Sequence, residues 1–182
     1  IFELYCKQNT PLLNIALSYF PAVWIALPLG LLGAWVSGTE EGYKMVLALF
    51  IIIWTYDTLA YCAGSLFGKH RLFKRVSPKK SWEGLIIATI LTTLGASAFA
   101  FIVYFDVIGF NQMWQWMLFA FIIIIASTYG DLVESLYKRN YGIKDSGTLF
   151  PGHGGVLDRF DSLFFAIPPA FFYWYFMFYL IN

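Results

Sequence analysis

The residues of this chain that could do chemistry gather toward its C-terminal end. In "STYGDLVESLYKRNYGIKD", Asp131, Glu134, Ser135 and Lys138 fall at i, i+3, i+4 and i+7, which draws one polar stripe along an otherwise apolar helix. A charged side chain at membrane depth costs about 2.5–3.5 kcal/mol on insertion scales, so such residues usually face a bundle interior or a wet cavity and carry function. The bland alternative is a stripe that emerges into the cytosol where the helix ends. That alternative fits Lys138 and Arg139 better than Asp131, which lies deeper.

A second constellation follows in "PGHGGVLDRFDS". Gly152, Gly154 and Gly155 have no side chains, so backbone amides can approach an anion closely. Asp158 and Asp161 stand at i and i+3 at the start of the last helix, where two carboxylates on one face can hold a hard cation through oxygen. An ordinary turn followed by acidic residues at a helix N-terminus would account for Asp161. It leaves His153, Arg159 and the three glycines unexplained. His153 by itself reads more readily as a hydrogen-bonding structural residue than as a base.

The third is the basic stretch "GKHRLFKRVSPKKSWEGL", in which Ser77-Pro78 is expected to start a turn and Ser81, Glu83 and Gly84 to begin a helix. Lys79 and Lys80 can neutralise phosphates at a membrane surface, although a solvated loop that merely sets topology would look the same. Asp57, in "WTYDTLAYCAGSLFG", is the most deeply placed acid; a metal ligand, a partner for a loop cation and a helix-helix acceptor all remain open for it. Carboxylates on different helix ends together with lysine-rich and glycine-rich loops make a site for a divalent metal and a polyphosphate. Magnesium suits it best, because it takes one or two carboxylates plus substrate phosphates and retained waters.

The elements that must position these groups are membrane spans. The 182 residues are 59% hydrophobic, 21% aromatic and 13% charged, with mean hydropathy +0.66, against about 25% charged in soluble domains. Five segments reach the roughly 20 apolar residues a spanning helix needs: 12–35, 45–67, 84–105, 114–137 and 161–181. The fold class is therefore all-α, a polytopic helix bundle in a single domain over 1–182. Pro21, Pro28, Pro168 and Pro169 are expected to kink rather than end their helices, and Trp35, Trp114, Trp116, Tyr137 and Tyr179 sit where interfacial belts place aromatics.

Half of the 12 lysines and arginines lie between Gly68 and Glu83, and four more between Lys138 and Arg159, whereas "VSGTEEGYK" and "DVIGFNQM" hold one and none. The positive-inside rule makes both basic loops cytoplasmic, and five alternating spans put them on one side. A net charge of +1 argues against nucleic acid as a partner. Cys6 and Cys62 follow no metal or disulfide spacing and read as free thiols. "IFELYCKQNTP" has neither an initiator methionine nor a signal-peptide pattern, so further chain upstream is expected.

These residues resemble the integral-membrane phosphatidate cytidylyltransferases, or CDP-diacylglycerol synthases. The family's C-terminal signature is similar to Ser135–Asp161, "SLYKRNYGIKDSGTLFPGHGGVLDRFD", at matching spacing, and "GDLVES", "DTLAYCAGSLFGKH" and "SPKKSWEG" look like family segments in the same order. Tyr137 departs from the family's usual aliphatic residue or phenylalanine, and the N-terminal spans that bacterial members carry are not in these 182 residues.

The resemblance implies the reaction of CTP with phosphatidate to give CDP-diacylglycerol and pyrophosphate, with magnesium required and potassium as a candidate second ion. It maps Asp131, Asp158 and Asp161 onto the acidic metal-centre positions and adds Lys144 to the catalytic set. Ser77, Lys79, Lys80, Lys138, Arg139, His153, Gly154, Gly155 and Arg159 fall in segments expected to hold nucleotide or lipid phosphate. The family and the orientation of the basic loops are both compatible with a bacterial inner membrane and an active site facing the cytoplasm; a homodimer is a candidate assembly, which the sequence does not decide. Rival readings are a related CTP-dependent transferase acting on an isoprenoid-type lipid, a cation transporter with acids along one path, and a structural scaffold.

Overall fold

The computed structural model describes residues 11–40, 42–73, 75–103, 110, 112–143, 145–147 and 155–181. Its helices follow the apolar segments. α1 (Pro11–Pro21) runs through a π-helical stretch, Ala22–Ala26, into α2 (Leu27–Gly38); α3 is Gly42–Phe67. A short hairpin, β1 (Arg71–Phe73) and β2 (Ser77–Ser81), leads into α4 (Trp82–Val103). α5 (Met113–Asn140) and α6 (Leu157–Phe176), with a π-helical end over Met177–Ile181, complete the chain. Five helices are long and apolar enough to cross a membrane, namely Leu12–Gly38, Gly42–Phe67, Trp82–Phe99, Met113–Asn140 and Leu157–Tyr179. The chain is thus an integral membrane protein.

The prolines do not end their helices: the first carries on past Pro21 and Pro28, with π-helical turns over Ala22–Ala26 between them, and α6 continues through Pro168 and Pro169. The last span starts at Leu157, four residues ahead of the expected Asp161, which brings Asp158 into its first turn. Phe105, the expected end of the third span, lies outside the described residues.

One expectation is corrected. Ser77-Pro78 does not start a turn; both residues belong to β2, and the chain reverses at Arg75 and Val76. Pro78 is tolerated because β2 is an edge strand whose missing amide costs no ladder bond. Arg71 pairs with Ser81 and Phe73 with Ser77, with a bulge between. The hairpin is docked at its base: the Trp82 amide donates to the His70 carbonyl (2.9 Å), and the Glu83 carboxylate accepts from the Lys69 and His70 amides, each at 3.1 Å. As expected, Ser81 opens α4, its hydroxyl accepting from the Gly84 amide at 3.2 Å.

The core is one cluster running from Trp35 through α3 and α5 to Trp174 and Met177. Two glycines set how closely the helices approach. A Cβ on Gly84 would stand 2.8 Å from the Ala60 carbonyl and 2.9 Å from the Gly64 Cα, so α3 and α4 touch there backbone to backbone. A Cβ on Gly130 would stand 2.9 Å from the Asp161 carbonyl and 2.8 Å from the Phe165 Cβ. α5 and α6 therefore approach closely beside Asp131 and Asp161.

Candidate active site

A cavity of about 710 Å³ opens at this end of the bundle, lined by residues of α3, the hairpin, α4, α5 and α6. Three of these helices and the hairpin contribute its polar groups. α3 supplies Tyr56 and Asp57, the hairpin Arg71, Lys79 and Lys80, α5 Thr128, Asp131 and Lys138, and α6 Asp158, Asp161 and Ser162. The floor is tied across helices: Tyr56 donates to Thr128 Oγ1 (2.8 Å), which itself donates to the Ile124 carbonyl (2.8 Å).

Two sets of charges occupy the cavity. Asp57, Asp131 and Asp161, from three helices, are near enough for each to feel the others' charge, and Lys80 offsets them through an ion pair with Asp131. Asp131 Oδ1 also accepts from the Ser135 hydroxyl (3.2 Å), and Asp161 Oδ1 accepts from the Ser162 amide (2.6 Å) and hydroxyl (3.1 Å). The second set is drier. Lys138 sits between Glu134, whose side chain is 1% exposed, and Asp158, whose Oδ1 is 2.7 Å from Nζ. Asp158 Oδ2 accepts from the Ser146 amide (2.8 Å), the Ser146 hydroxyl (2.9 Å) and the Gly155 amide (2.7 Å). One carboxylate thereby fastens both ends of the 146–155 connection to α6.

Among the described residues no three carboxylate, imidazole or thiolate groups gather into an all-protein metal cage. Asp131, Asp158 and Asp161 are donors of a kind that would suit magnesium, since this ion takes one or two carboxylates and completes its shell with phosphate oxygens and water.

Of the residues singled out in the sequence, the structure brings Asp131, Asp158, Asp161, Lys79, Lys80 and Lys138 to one cavity. Ser77, Arg139, Gly155 and Arg159 are not among its lining residues. Arg139 turns to the Ile143 carbonyl (3.4 Å) and Gly155 spends its amide on Asp158. Lys144, His153 and Gly154 lie outside the described residues. Sequence reasoning left Asp57 undecided and passed over Arg71, Tyr56 and Thr128. Arg71 stood in plain view in the basic stretch. The hydroxyls of Tyr56 and Thr128 had no signal, because they are single polar groups inside apolar segments.

Known proteins resemble the chain over nearly all its length. The pattern of the cytidylyltransferase family matches residues 2–178. The phosphatidate cytidylyltransferase of Staphylococcus haemolyticus is 42% identical over 164 residues, covering 90% of this chain and 56% of that protein. The phosphatidate cytidylyltransferases of Haemophilus influenzae and Staphylococcus aureus are 42% and 41% identical over 143 and 129 residues, covering 78% and 71% of this chain and 48% of each relative. This polytopic, cation- and carboxylate-lined protein belongs to the cytidylyltransferase family. The chain spans about half the length of the curated relatives it matches.

Proposed function

We propose that the chain forms the catalytic part of an enzyme that transfers the cytidylyl group of CTP to phosphatidate, releasing pyrophosphate and leaving CDP-diacylglycerol in the membrane. The observation that carries this reading is the cavity itself: lysines and carboxylates from three helices and a hairpin converge at one end of an apolar bundle. The names of relatives about 42% identical support the two substrates.

In this reaction a phosphate oxygen of phosphatidate attacks the α-phosphorus of CTP. A new P–O bond forms, the bond to the β-phosphate's bridging oxygen breaks, and pyrophosphate departs with that electron pair. Such transfers depend on positioning and charge neutralisation more than on a nucleophilic side chain. Arg71, Lys79 and Lys80 are placed to offset phosphate charge. Lys138, through Glu134 and Asp158, keeps α5, α6 and the 146–155 connection in register.

Asp131, Asp158 and Asp161 are the carboxylates we assign to magnesium, with Asp57 close enough to Asp131 and Asp161 to reinforce their pull on a cation. Asp158 would take the ion in exchange for part of its present contact with Lys138. When bound, magnesium would neutralise phosphate charge and help orient the two anions. Potassium is the candidate for a second ion. The two basic loops support a site facing the cytoplasm, and the bacterial relatives support a cell-membrane setting.

The test is incorporation of α-labelled CTP into lipid by the purified chain in detergent, against a panel of phosphatidate and isoprenoid phosphates, with and without magnesium. Magnesium-dependent label in phosphatidate alone is the expected outcome. Label in the isoprenoid instead favours the rival transferase, and label in neither removes the reading.

A further inference from the structure

Glu134 is a buried charge that the reaction described above leaves without a task. Its side chain is 1% exposed, and it is absent from the lining of the polar cavity, which Lys138 and Asp158 do reach. It therefore stands one layer behind Lys138 and can influence a bound ion or substrate only through that residue. On α5 the two are four residues apart, with the acid on the N-terminal side as helical ion pairs prefer. Among the described residues the Lys138 ammonium is the only cation within ion-pair distance of Glu134, and the two Glu134 oxygens accept no other hydrogen bond.

Asp158 is committed differently at its two oxygens. Oδ2 already accepts from the Ser146 amide, the Ser146 hydroxyl and the Gly155 amide, whereas among the described residues Oδ1 holds only Lys138, at 2.7 Å. A cation taken by Asp158 therefore has Oδ1 as its open oxygen and displaces Lys138 from it. The Lys138 side chain is only 16% exposed, and an ammonium so buried is costly to leave without a counter-ion. Glu134 is the acid already in contact with it.

We propose that Glu134 is a positioning residue for the metal: it keeps hold of the Lys138 ammonium when Asp158 gives its Oδ1 to magnesium, so that the carboxylate is released without stranding a buried charge. The inference rests on the assignment of Asp158 to magnesium above and adds how that carboxylate is freed. Until the exchange, Lys138 stands between two acids that would otherwise repel; after it, Lys138 stays at the cavity wall with its charge balanced. A pin between α5 and α6 needs only the Lys138–Asp158 bond, because Glu134 sits on Lys138's own helix. The second acid is explained by the exchange and not by the pin.

A double-mutant cycle on manganese affinity tests this. Manganese is titrated into the full chain in detergent, and bound ion is read by electron paramagnetic resonance for the parent, Glu134→Gln, Lys138→Met and the two combined. Each is first checked for parent-like helix content by circular dichroism. Without the charge of Glu134, Lys138 keeps Asp158, so Glu134→Gln should weaken manganese binding about ten- to a hundredfold, as outer-shell substitutions do. With Lys138 replaced there is no ammonium to displace, and adding Glu134→Gln should cost nothing further. Parent-like binding in Glu134→Gln overturns the proposal. So does an equal loss with and without Lys138, the result expected if Glu134 attracted the ion directly or merely supported the fold.

Glu134→Asp keeps the charge and covers the case in which Glu134→Gln does not fold. Its manganese affinity should stay close to the parent's, and a loss as deep as that expected for Glu134→Gln overturns the proposal. Because no measurement here needs turnover, a chain that shows the coupling yet transfers no cytidylyl group would sink the functional reading while leaving this one standing. A parent that holds no manganese would remove the assignment of Asp158 to the metal and this inference together.

Discussion

The two ends of the bundle are held together by opposite means. At one end Trp35, Phe110, Phe119, Phe171, Tyr173 and Trp174 pack ring on ring, with centroids 5.5–6.2 Å apart for Phe119 against Phe110, Trp35 and Tyr173. Many contacts share the load there, so no single ring is indispensable to geometry. At the other end the same helices α5 and α6 meet through Lys138, Glu134 and Asp158, with Asp131 and Asp161 nearby across the glycine contact at Gly130. A few directional bonds add to the packing there, and each has few substitutes. The aromatic end anchors the helices, and the charged end uses the anchored geometry to gather like charges that would otherwise separate.

This contrast predicts which substitutions damage chemistry and which damage only the fold. Asp131→Asn is expected to have the largest effect, a loss of turnover on the order of a hundred- to a thousandfold, since one preorganised charge is removed from a site built on electrostatics. Its thermal unfolding in detergent should match the parent's. Trp174→Ala should do the reverse, lowering stability by about 3–5 kcal/mol through the cavity it leaves. Activity per folded molecule should survive, and a matching loss of that activity would break the division between the ends.

Gly130→Val joins the two regions. Its side chain must displace Phe165 or the Asp161 backbone, costing about 1–3 kcal/mol as overpacking does. Turnover should fall further than that stability loss explains, because α6 carries Asp161 with it. Gly95→Val, whose Cβ meets nothing within 4 Å, provides the control and should leave activity unchanged. The smallest effect is expected for Glu83→Gln, which weakens the acceptor for the Lys69 and His70 amides and for His70 Nδ1 at 2.6 Å. A loosened hairpin should raise KM for CTP a few-fold without changing helix content, measured by circular dichroism.

Much of the charged end was legible in the sequence because its physics is local. A carboxylate stripe on an apolar helix is costly, so Asp131 and its neighbours announced themselves, and the basic stretch pointed to the lysines that line the same cavity. The spans were legible for the same reason, length and hydropathy being sums over neighbouring residues. What could not be read was long-range. Nothing near Asp57 in the chain says that it meets Asp131 and Asp161, and nothing near Glu134 says that Lys138 would reach past it to Asp158. The β2 strand was misread because Ser-Pro is a turn signal in isolation, and only pairing with Arg71–Phe73 makes an edge strand the better home.

The claim on which the account turns is that acids from α5 and α6 jointly hold one divalent cation beside the nucleotide. Manganese, as a paramagnetic stand-in for magnesium, can be titrated into the full chain with CTP and followed by electron paramagnetic resonance. The account predicts one tightly held ion in the parent, with binding weakened sharply in both Asp131→Asn and Asp158→Asn while CTP still binds at high concentration. Parent-like manganese binding in both variants would contradict it.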